Sequence, residues 1–459
     1  MSRTLLHSQW DLVVAGAGFS GLVAASIAAK GGLKVLVLER SADPGGCAAI
    51  SGGIIWAPES AASLADYVPD GDAELQLAYC ERFGDAVSWL QSLDLPIGQT
   101  EKLGSLGSGC VMSAGQAGDR HQFMYLMARR AEAHGATIKY GTPLTRASKL
   151  PAGYSVQTNG ERSLPLNSRA ILFATGGFQG SPELLDKYVG RGASKSLFLR
   201  SVPGCTGVGL SVALDLGAAT SRNMHHIYGH TMPDVAVAEV DMQPLTAYLA
   251  AKSLIINRDG ERFVDESEGR LEEVILESGW RQPDGCYFLL FDSETYRKYG
   301  VDTGISSALP RFDRMARWRA IGASVIEAET LESLVETLAH RENVNSARAH
   351  QTLLSYNLAC RNQVARELDP PRSLDPIPLI ESPFFAMRAR GGISATCGGI
   401  RIDTNCQVLE SSGKVLPGLY AAGVDAGGVF GKTYGGFLGW SLVSGYLAGH
   451  SILRDIQKS

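Results

Sequence analysis

The segment from Asp11 to Glu39 constrains the fold of this 459-residue chain more than any other part of its sequence. A short apolar run leads into a Gly-x-Gly-x-x-Gly motif at Gly16, Gly18 and Gly21, an alanine-rich stretch follows, and a second apolar run ends at Glu39. This order predicts a strand, a helix and a second strand. In such a unit the first glycine permits a tight turn, the second lets the backbone approach a pyrophosphate, and the third allows close packing of helix on strand.

The chemistry expected of this unit is the binding of a dinucleotide. The helix N-terminus presents backbone N–H groups and a partial positive charge to a phosphate. Glu39 follows Gly21 by 18 residues, where a carboxylate can accept hydrogen bonds from an adenosine ribose. A glycine-rich turn without a ligand is the alternative, since the chain has 53 glycines. The complete order of strand, glycines, helix, strand and acid favours the nucleotide site.

Composition and charge exclude several other classes of protein. The chain is 45% hydrophobic with a net charge of −5, which gives no basis for binding nucleic acid or an anionic membrane. No apolar run is long enough to span a bilayer, and no signal peptide is recognisable, so a cytoplasmic location is expected. The eight cysteines are scattered without a C-x-x-C pair, so most are expected to be small buried side chains rather than a disulfide framework.

The length predicts roughly two to three domains. Glycine-rich strand and helix patterns fill residues 1–224 and return over 379–459. Between them, charges increase and two longer helical patterns occur near 329–340 and 347–366. We therefore predict one nucleotide-binding domain in two parts, 1–224 and 379–459, interrupted by an inserted domain at 225–378.

Three separated motifs resemble one superfamily. They are the unit ending at Glu39, the turn ATGGF at 174–178 and the segment LPGLYAAG at 416–423. Together they resemble the flavoproteins of the fumarate reductase and succinate dehydrogenase superfamily over nearly the whole chain. The resemblance implies an α/β fold in which a Rossmann-like FAD-binding domain is interrupted by an inserted α+β capping domain. It also implies non-covalent FAD, because CAAISGG follows Gly46 where covalently flavinylated members have a histidine.

The resemblance further implies which residues contact FAD. They lie in the first glycine motif, in the loop from Gly45, in the ATGG turn and near the C-terminus. The set is Gly16, Gly18, Phe19, Ser20, Gly21, Glu39, Arg40, Gly45, Gly46, Cys47, Ser51, Gly52, Gly53, Ala174, Thr175, Gly176, Gly177, Gly423, Asp425, Ser441 and Leu442. No metal site is expected, because the histidines at 225, 226 and 230 lack further ligands at a recognised spacing.

Two longer motifs resemble the 3-ketosteroid Δ1-dehydrogenases within that superfamily. They are SGGIIWAPES at 51–60 and the segment from GGVFGKTYGG to SGYLAGH at 427–450. In that group a tyrosine and a glycine N–H hold the substrate ketone oxygen. The matching tyrosine is Tyr434, with Gly436 and Gly439 as candidate partners, and a packed aromatic residue is the alternative interpretation. Uncharged donors suit this role, since no charge has to be desolvated.

The expected capping segment instead resembles the reductases of the superfamily, which favours reduction of a double bond over its formation. NRDGERFVDE at 257–266 resembles the superfamily element N-x-x-G-x-R-F-x-N-E, and Arg270 stands four residues later. Ketosteroid enzymes place a tyrosine base there, whereas fumarate reductases place a proton-donating arginine. Arg270 is therefore expected to move a proton, with a surface ion pair as the alternative. His230 matches a carboxylate-binding histidine of the reductases or is a buried structural histidine, and SATCGG at 394–399 lacks the reductases' histidines.

These motifs predict an FAD-dependent oxidoreductase acting on CH–CH groups that desaturates a cyclic ketone at the α,β position. Such chemistry needs a hydride carrier, an acid or base for the second hydrogen, and a donor that polarises the carbonyl. An ene-reductase of an enone or enoate is the alternative, which Arg270 favours. A flavin amine oxidase or hydroxylase accounts less well for the element at 257–266. The expected partners are a small ketone or unsaturated carbonyl substrate and an electron acceptor or donor of unspecified identity.

Overall fold

The computed structural model describes the chain at residues 9–103, 107–112, 119–159, 165–238, 242–268, 273–301 and 311–458. Contacts between Cα atoms divide the chain into two units. Unit 1 comprises Met1–Leu184, Ser201–Ile227 and Ala395–Ser459, and unit 2 comprises Leu185–Arg200 and Tyr228–Ser394. Unit 2 therefore takes in residues 185–200 and 379–394, which lie outside the 225–378 segment expected for the insertion.

Strands and helices alternate along much of the chain. The strands are β1 (Gln9–Ala15), β2 (Val35–Leu38), β3 (Ile54–Ala57), β4 (Glu101–Lys102), β5 (Ser108–Val111), β6 (Thr137–Lys139), β7 (Leu144–Lys149), β8 (Tyr154–Thr158), β9 (Leu166–Phe173), β10 (Phe198–Leu199), β11 (Ile227–Pro233), β12 (Leu254–Ile256), β13 (Cys286–Asp292), β14 (Val325–Ala328), β15 (Phe384–Thr396), β16 (Gln407–Leu409) and β17 (Val415–Ala421). The helices are α1 (Phe19–Lys30), α2 (Ala61–Tyr67), α3 (Ala73–Gln91), α4 (Arg120–Ala133), α5 (Pro182–Leu184), α6 (Ala193–Ser196), α7 (Val208–Asp215), α8 (Glu273–Gly279), α9 (Ser293–Tyr299), α10 (Arg314–Ala320), α11 (Leu331–Glu342), α12 (Ser346–Arg361) and α13 (Phe437–Lys458). Helices α11 and α12 confirm the two longer helical patterns.

The main sheet of unit 1 is mostly parallel. Its strand order is β16-β17-β9-β1-β2-β6, and β8 and β7 extend it from β9. β1 pairs in parallel with β2, with Val14 opposite Val37, and in parallel with β9 on its other edge. Parallel strands covered on both faces are continuous apolar runs, and β2 is buried along its whole length. The strand–helix–strand unit predicted from the N-terminal motif is confirmed.

Close packing of α13 holds the first turn of α1 in place. Helix α1 is buried from Phe19 to Ala29. A Cβ atom at Gly445 of α13 would lie 2.6 Å from the Ser20 carbonyl oxygen, and one at Gly449 would lie 3.1 Å from the backbone of Ala24. Larger side chains at these positions would overpack the contact and push the helices apart. The C-terminal helix is thereby fixed beside the glycine motif at the other end of the chain.

Unit 2 is built on a second sheet with helices packed against it. The strand order is β10-β15-β13-β12, and β11 and β14 also pair with β15. One hydrophobic cluster joins Leu254 and Phe288 to Leu338 of α11 and Leu353 of α12, and another surrounds Trp318 of α10. The predicted α/β fold with an α+β insertion is confirmed.

Candidate functional site

The glycine motif has the geometry that a pyrophosphate site requires. Gly16 has φ +107°, and a Cβ atom there would lie 2.3 Å from the Ala174 carbonyl oxygen. A Cβ at Gly21 would lie 2.2 Å from the Gly16 carbonyl oxygen and 3.2 Å from Val14 Cγ1 of β1, which agrees with the predicted close packing of helix on strand. Gly18 is the N-cap of α1, and among the described residues no side chain caps that helix end. Its first-turn N–H groups therefore suit an anionic ligand.

Glu39 lies beside this turn. Its Oε2 accepts a hydrogen bond from the Ala17 N–H at 2.7 Å, and its Oε1 accepts one from the Ser41 N–H at 2.8 Å. A carboxylate has further acceptor sites, so the fixed Glu39 can also accept from ribose hydroxyl groups. The next residue, Arg40, is exposed and donates to Thr206 Oγ1 at 3.1 Å.

The loop from Gly45 runs past the glycine motif and leaves space beside it. The Gly45 N–H donates to the Ala17 carbonyl oxygen at 2.9 Å. A Cβ atom at Gly46 or Gly52 would have no heavy atom of the described residues within 4 Å. Ser51 is used inside the loop, since its Oγ donates to Ala48 O at 2.8 Å. The open side of this loop, together with the uncapped end of α1, fits an extended dinucleotide such as FAD.

A buried carboxylate, Asp425, holds the ATGG turn. Its Oδ2 accepts from the N–H and Oγ1 of Thr175, and its Oδ1 accepts from the Gly177 N–H at 3.0 Å. Burial raises the pKa of the Asp425 carboxyl, while these hydrogen bonds act in the opposite direction. Both oxygens are therefore engaged with the turn between β9 and α5, so Asp425 acts by positioning that turn.

The remaining predicted FAD residues of unit 1 fall into three groups. A Cβ atom at Gly423 would lie 2.5 Å from Ser20 Oγ and 3.5 Å from Ser441 Oγ, so these three segments meet. The side chains of Phe19 and Leu442 are buried, so the predicted contacts of these residues with FAD would involve their backbone. Gly53 and Gly176 lie close to side chains of other segments. A Cβ atom at Gly53 would contact the Arg120 side chain, and one at Gly176 would contact Cys205 Sγ.

Tyr434 lies in an aromatic environment just before α13. Its ring is half-buried and makes an edge contact with Trp56, with ring centroids 5.8 Å apart. It also contacts Phe430 edge-on at 6.2 Å and stacks on Phe437 at 5.9 Å. The phenol thus stands among apolar rings at the start of the longest helix described.

The loop that carries Tyr434 is held by a tyrosine that sequence reasoning missed. Tyr79 Oη lies within hydrogen-bonding distance of the carbonyl oxygens of Trp56, Gly435 and Gly436, at 2.5, 2.9 and 3.1 Å. Burial raises the pKa of Tyr79 well above its ordinary value, so this group stays a neutral donor. Gly436 and Gly439, the two candidate partners of Tyr434, both pack against the Trp56 carbonyl group. A Cβ atom would lie 2.5 Å from that oxygen at Gly436 and 2.1 Å from it at Gly439.

The other side of the loop is held by Asp70 and Asn223, which the sequence analysis also missed. Asp70 Oδ2 accepts from the Lys432 N–H at 3.1 Å and lies 3.2 Å from Nε2 of His226. Asn223 Nδ2 donates to the carbonyl oxygens of Asp70 and Phe430, at 2.8 and 3.1 Å. No motif signals these contacts, because they join segments more than 150 residues apart in sequence.

In unit 2, His230 is buried and already paired with a phenol. Its Nε2 lies 2.9 Å from Tyr228 Oη, and its ring packs edge-on against Tyr248 at 5.5 Å. Arg270, the predicted proton-transfer residue, lies outside the described residues. The role of His230 as a substrate contact therefore stays a prediction, as does that of Arg270.

The element at 257–266 has a structural role that the sequence did not show. Glu266 is fully buried and accepts from Arg262, with Nη2 and Oε2 2.7 Å apart. Nη1 of the buried Arg372 lies 3.5 Å from the same oxygen. A buried carboxylate needs such paired cations, because removing either partner leaves an uncompensated charge.

Arg200 is a further cationic group in unit 2 that sequence reasoning missed. Its Nη1 donates to Ser394 Oγ and its Nη2 donates to Thr246 Oγ1, each at 2.9 Å. Its Nε is buried and has no hydrogen-bond partner among the described residues. Its Nη2 also donates to the Met242 carbonyl oxygen at 3.5 Å. These partners are all uncharged, so the guanidinium suits pairing with an anionic group.

Metal and membrane features are not found in the described part of the chain. Its His, Cys, Asp and Glu side chains form no group of three that could hold a metal ion. None of its helices combines the length and apolar character needed to cross a bilayer.

A glycine turn, a carboxylate fixed beside it and an open loop on a mostly parallel sheet are the features of a dinucleotide-binding protein of the flavoprotein class. The chain belongs to the family described as FAD binding domain, whose model matches residues 11–436. FAD is its cofactor, as predicted.

Relatives of known activity cover nearly the whole chain. A vinyl phenol reductase of Lactiplantibacillus plantarum is 25% identical over 94% of this chain and 92% of its own. A fumarate reductase (cytochrome) of Shewanella frigidimarina is 25% identical over 99% and 78%, respectively. A 4-oxocyclohexanecarboxylate 2-dehydrogenase of Sinomonas cyclohexanicum is 26% identical over 97% and 93%.

The fold is also that of a solved steroid enzyme. The 3-ketosteroid Δ1-dehydrogenase of Sterolibacterium denitrificans superposes with a TM-score of 0.75 at 19% identity, over 97% of this chain and 100% of that one. The predicted resemblance to the fumarate reductase and succinate dehydrogenase superfamily is confirmed. The protein is an FAD-dependent oxidoreductase of the class that acts on CH–CH groups.

Proposed function

We propose that the protein desaturates a ketone at the α,β position, with cyclic ketones as the substrate class. The observation that carries this proposal is the placement of Tyr434. Its phenol is held on a loop fixed from two sides by Asp70 and Tyr79, among the apolar rings of Trp56 and Phe437. A fixed neutral donor in apolar surroundings stabilises charge on a carbonyl oxygen more strongly than a mobile donor in water.

Each residue has one role in this proposal. Bound FAD supplies the hydride acceptor. Tyr434 donates a hydrogen bond to the ketone oxygen, together with a backbone N–H of Gly436 or Gly439 near the start of α13. This polarisation acidifies the α-carbon, from which Arg270 removes the proton. His230 contacts the substrate through its ring.

The way in which FAD is held belongs to the same proposal. We infer a non-covalent cofactor, bound by the glycine motif, Glu39, the loop from Gly45 and the turn held by Asp425. Acid precipitation is expected to release the yellow colour into the supernatant, and colour that stays in the pellet would show a covalent bond. A cytoplasmic location remains a prediction from the sequence.

An ene-reductase of an unsaturated acid is the second candidate function. Arg200 favours it, because its guanidinium donates to uncharged groups in the described chain: the hydroxyls of Ser394 and Thr246 and the carbonyl oxygen of Met242. Such a group suits a substrate carboxylate. The names of two relatives, a fumarate reductase and a vinyl phenol reductase, also support reduction.

Anaerobic flavin titration separates the two functions. The oxidised enzyme is mixed with cyclohexanones, 3-ketosteroids and saturated dicarboxylates, and the chemically reduced enzyme with enones, fumarate and other enoates. Loss of the visible flavin absorbance with a saturated ketone supports the dehydrogenase. Reoxidation by enoates alone, combined with no bleaching by any ketone, overturns the desaturase proposal and favours the reductase.

A further inference from the structure

Two cysteines far apart in sequence meet in unit 1. Cys47 lies in the 3-10 turn Gly46–Ala48, and its Sγ is 3.5 Å from Sγ of Cys205. A disulfide has an S–S length of about 2.05 Å, so a shift of roughly 1.5 Å would join the two sulfurs. Cys47 is partly buried whereas Cys205 is fully buried, so Cys47 is the more accessible of the two thiols. This asymmetry is typical of an attacking and a resolving thiol.

Polar groups around Cys47 favour its thiolate form. Ser201 Oγ lies 3.0 Å from Cys47 Sγ, and Gln179 Nε2 lies 3.9 Å from it. The contact with Cys205, followed by those with Ser201 and Gln179, lowers the pKa of Cys47 to about 6 although burial opposes it. The same contact and burial raise the pKa of Cys205, and the nearby Asp425 adds to this. At neutral pH the proton therefore stays on Cys205.

We propose that Cys47 and Cys205 form a redox-active thiol pair that closes to a disulfide by exchange with a low-molecular-weight disulfide of the glutathione type. The Cys47 thiolate attacks one sulfur of the reagent, forms a mixed disulfide and releases one thiolate. Cys205 then loses its proton, attacks Sγ of Cys47 and releases the second thiol. The protein is oxidised by two electrons and the reagent is reduced to two thiols, so the exchange balances without another oxidant.

The position of the pair connects this chemistry to the FAD loop. Cys47 directly follows Gly45 and Gly46, and a Cβ atom at Gly176 of the ATGG turn would lie 2.9 Å from Cys205 Sγ. Closing the disulfide draws these two FAD-binding segments together. We expect formation of the disulfide to change the affinity of the protein for FAD. The thiol exchange itself does not require that the enzyme oxidise its ketone substrate.

Peptide mapping of the FAD-loaded enzyme tests the proposal. Treatment with glutathione disulfide is expected to produce one cross-linked peptide that joins residues 47 and 205, and dithiothreitol should remove it. Cys205→Ser should accumulate a glutathionylated Cys47, and Cys47→Ser should give neither product. Circular dichroism and FAD content show whether each variant is folded.

Cys80 provides a matched control. It is also partly buried, but here burial raises the pKa to about 11. At pH 7, iodoacetamide should modify Cys47 at least about tenfold faster than Cys80, since the thiolate is the nucleophile. Cys80→Ser should form the 47–205 cross-link normally. Equal alkylation of the two cysteines, or the absence of a 47–205 disulfide in folded wild-type enzyme, overturns the proposal.

Discussion

The carboxylate of Asp70 accepts a hydrogen bond from the backbone N–H of Lys432, with Oδ2 and N 3.1 Å apart. Lys432 lies two residues before Tyr434, so this bond fixes one end of the loop that presents the phenol. Nε2 of His226, from a third segment of unit 1, lies 3.2 Å from the same Oδ2 of Asp70 and helps to orient this carboxylate. The position of Tyr434 thus depends on side chains that no motif marks.

Asp70→Ala is expected to lower kcat about tenfold while leaving the FAD content unchanged. The change removes a hydrogen bond to a charged acceptor, which contributes about 1.5–3 kcal/mol to holding the loop. Asp70→Asn keeps an oxygen that can accept from Lys432 N–H and should recover part of kcat. Asp66→Ala alters an exposed neighbour and serves as the control. A normal kcat for Asp70→Ala would show that the loop does not need this contact.

Tyr434→Phe is expected to slow flavin reduction by ketone about 100-fold or more, because the loss of one donor to a developing oxyanion has this cost. The ring contacts with Trp56 and Phe437 remain, so the thermal midpoint and FAD retention should change little. Stopped-flow absorbance measures the rate. Tyr446→Phe, a half-buried tyrosine of α13, is the matched control. Equal rates of flavin reduction in the two variants would show that the Tyr434 hydroxyl does not take part in the reaction.

Glu266→Gln is expected to reduce the free energy of unfolding by about 3–5 kcal/mol, because it leaves Arg262 and Arg372 without their buried counter-charge. Chemical denaturation monitored by tryptophan fluorescence measures the change. The exposed Glu268→Gln provides the comparison, for which less than about 0.5 kcal/mol is expected. Similar effects of the two changes would argue against a structural role for the element at 257–266.

Asp292 should contribute to the acid stability of unit 2. Burial alone would raise the pKa of Asp292, but N–H donors from Ile380, Glu381 and Thr295 outweigh it and lower that pKa below 3.8. A lowered folded-state pKa means that the stabilisation is complete above the unfolded-state pKa and is lost as pH falls through the folded-state value.

Asp292→Asn should therefore lose about 1–3 kcal/mol of unfolding free energy at pH 7, with less difference from the wild type below pH 4. Denaturation series at several pH values measure this. Glu294→Gln, which changes a partly exposed acid of α9 that pairs with Lys298, should follow the wild-type pH dependence. A loss that is equally large at pH 3 and pH 7 would contradict the assignment.

Local patterns in the sequence were sufficient to predict the strand–helix–strand unit and the cofactor. The turn at Gly16, the carboxylate of Glu39 and helices α11 and α12 follow from glycine spacing and hydrophobic periodicity, which act over a few residues. By contrast, the prediction of Asp425 as a cofactor contact did not include its hydrogen bonds to Thr175 and Gly177, since these join positions about 250 residues apart.

The sequence by itself determined the class of this enzyme, because dinucleotide binding depends on backbone geometry that a short glycine motif specifies. Only the tertiary structure decided which contacts hold the loop of Tyr434, that Glu266 pairs with two buried arginines, and that the Cys47 and Cys205 sulfurs lie in contact. These are contacts between distant segments, and their energies depend on burial and on partners that the folded chain brings together. No local pattern encodes them.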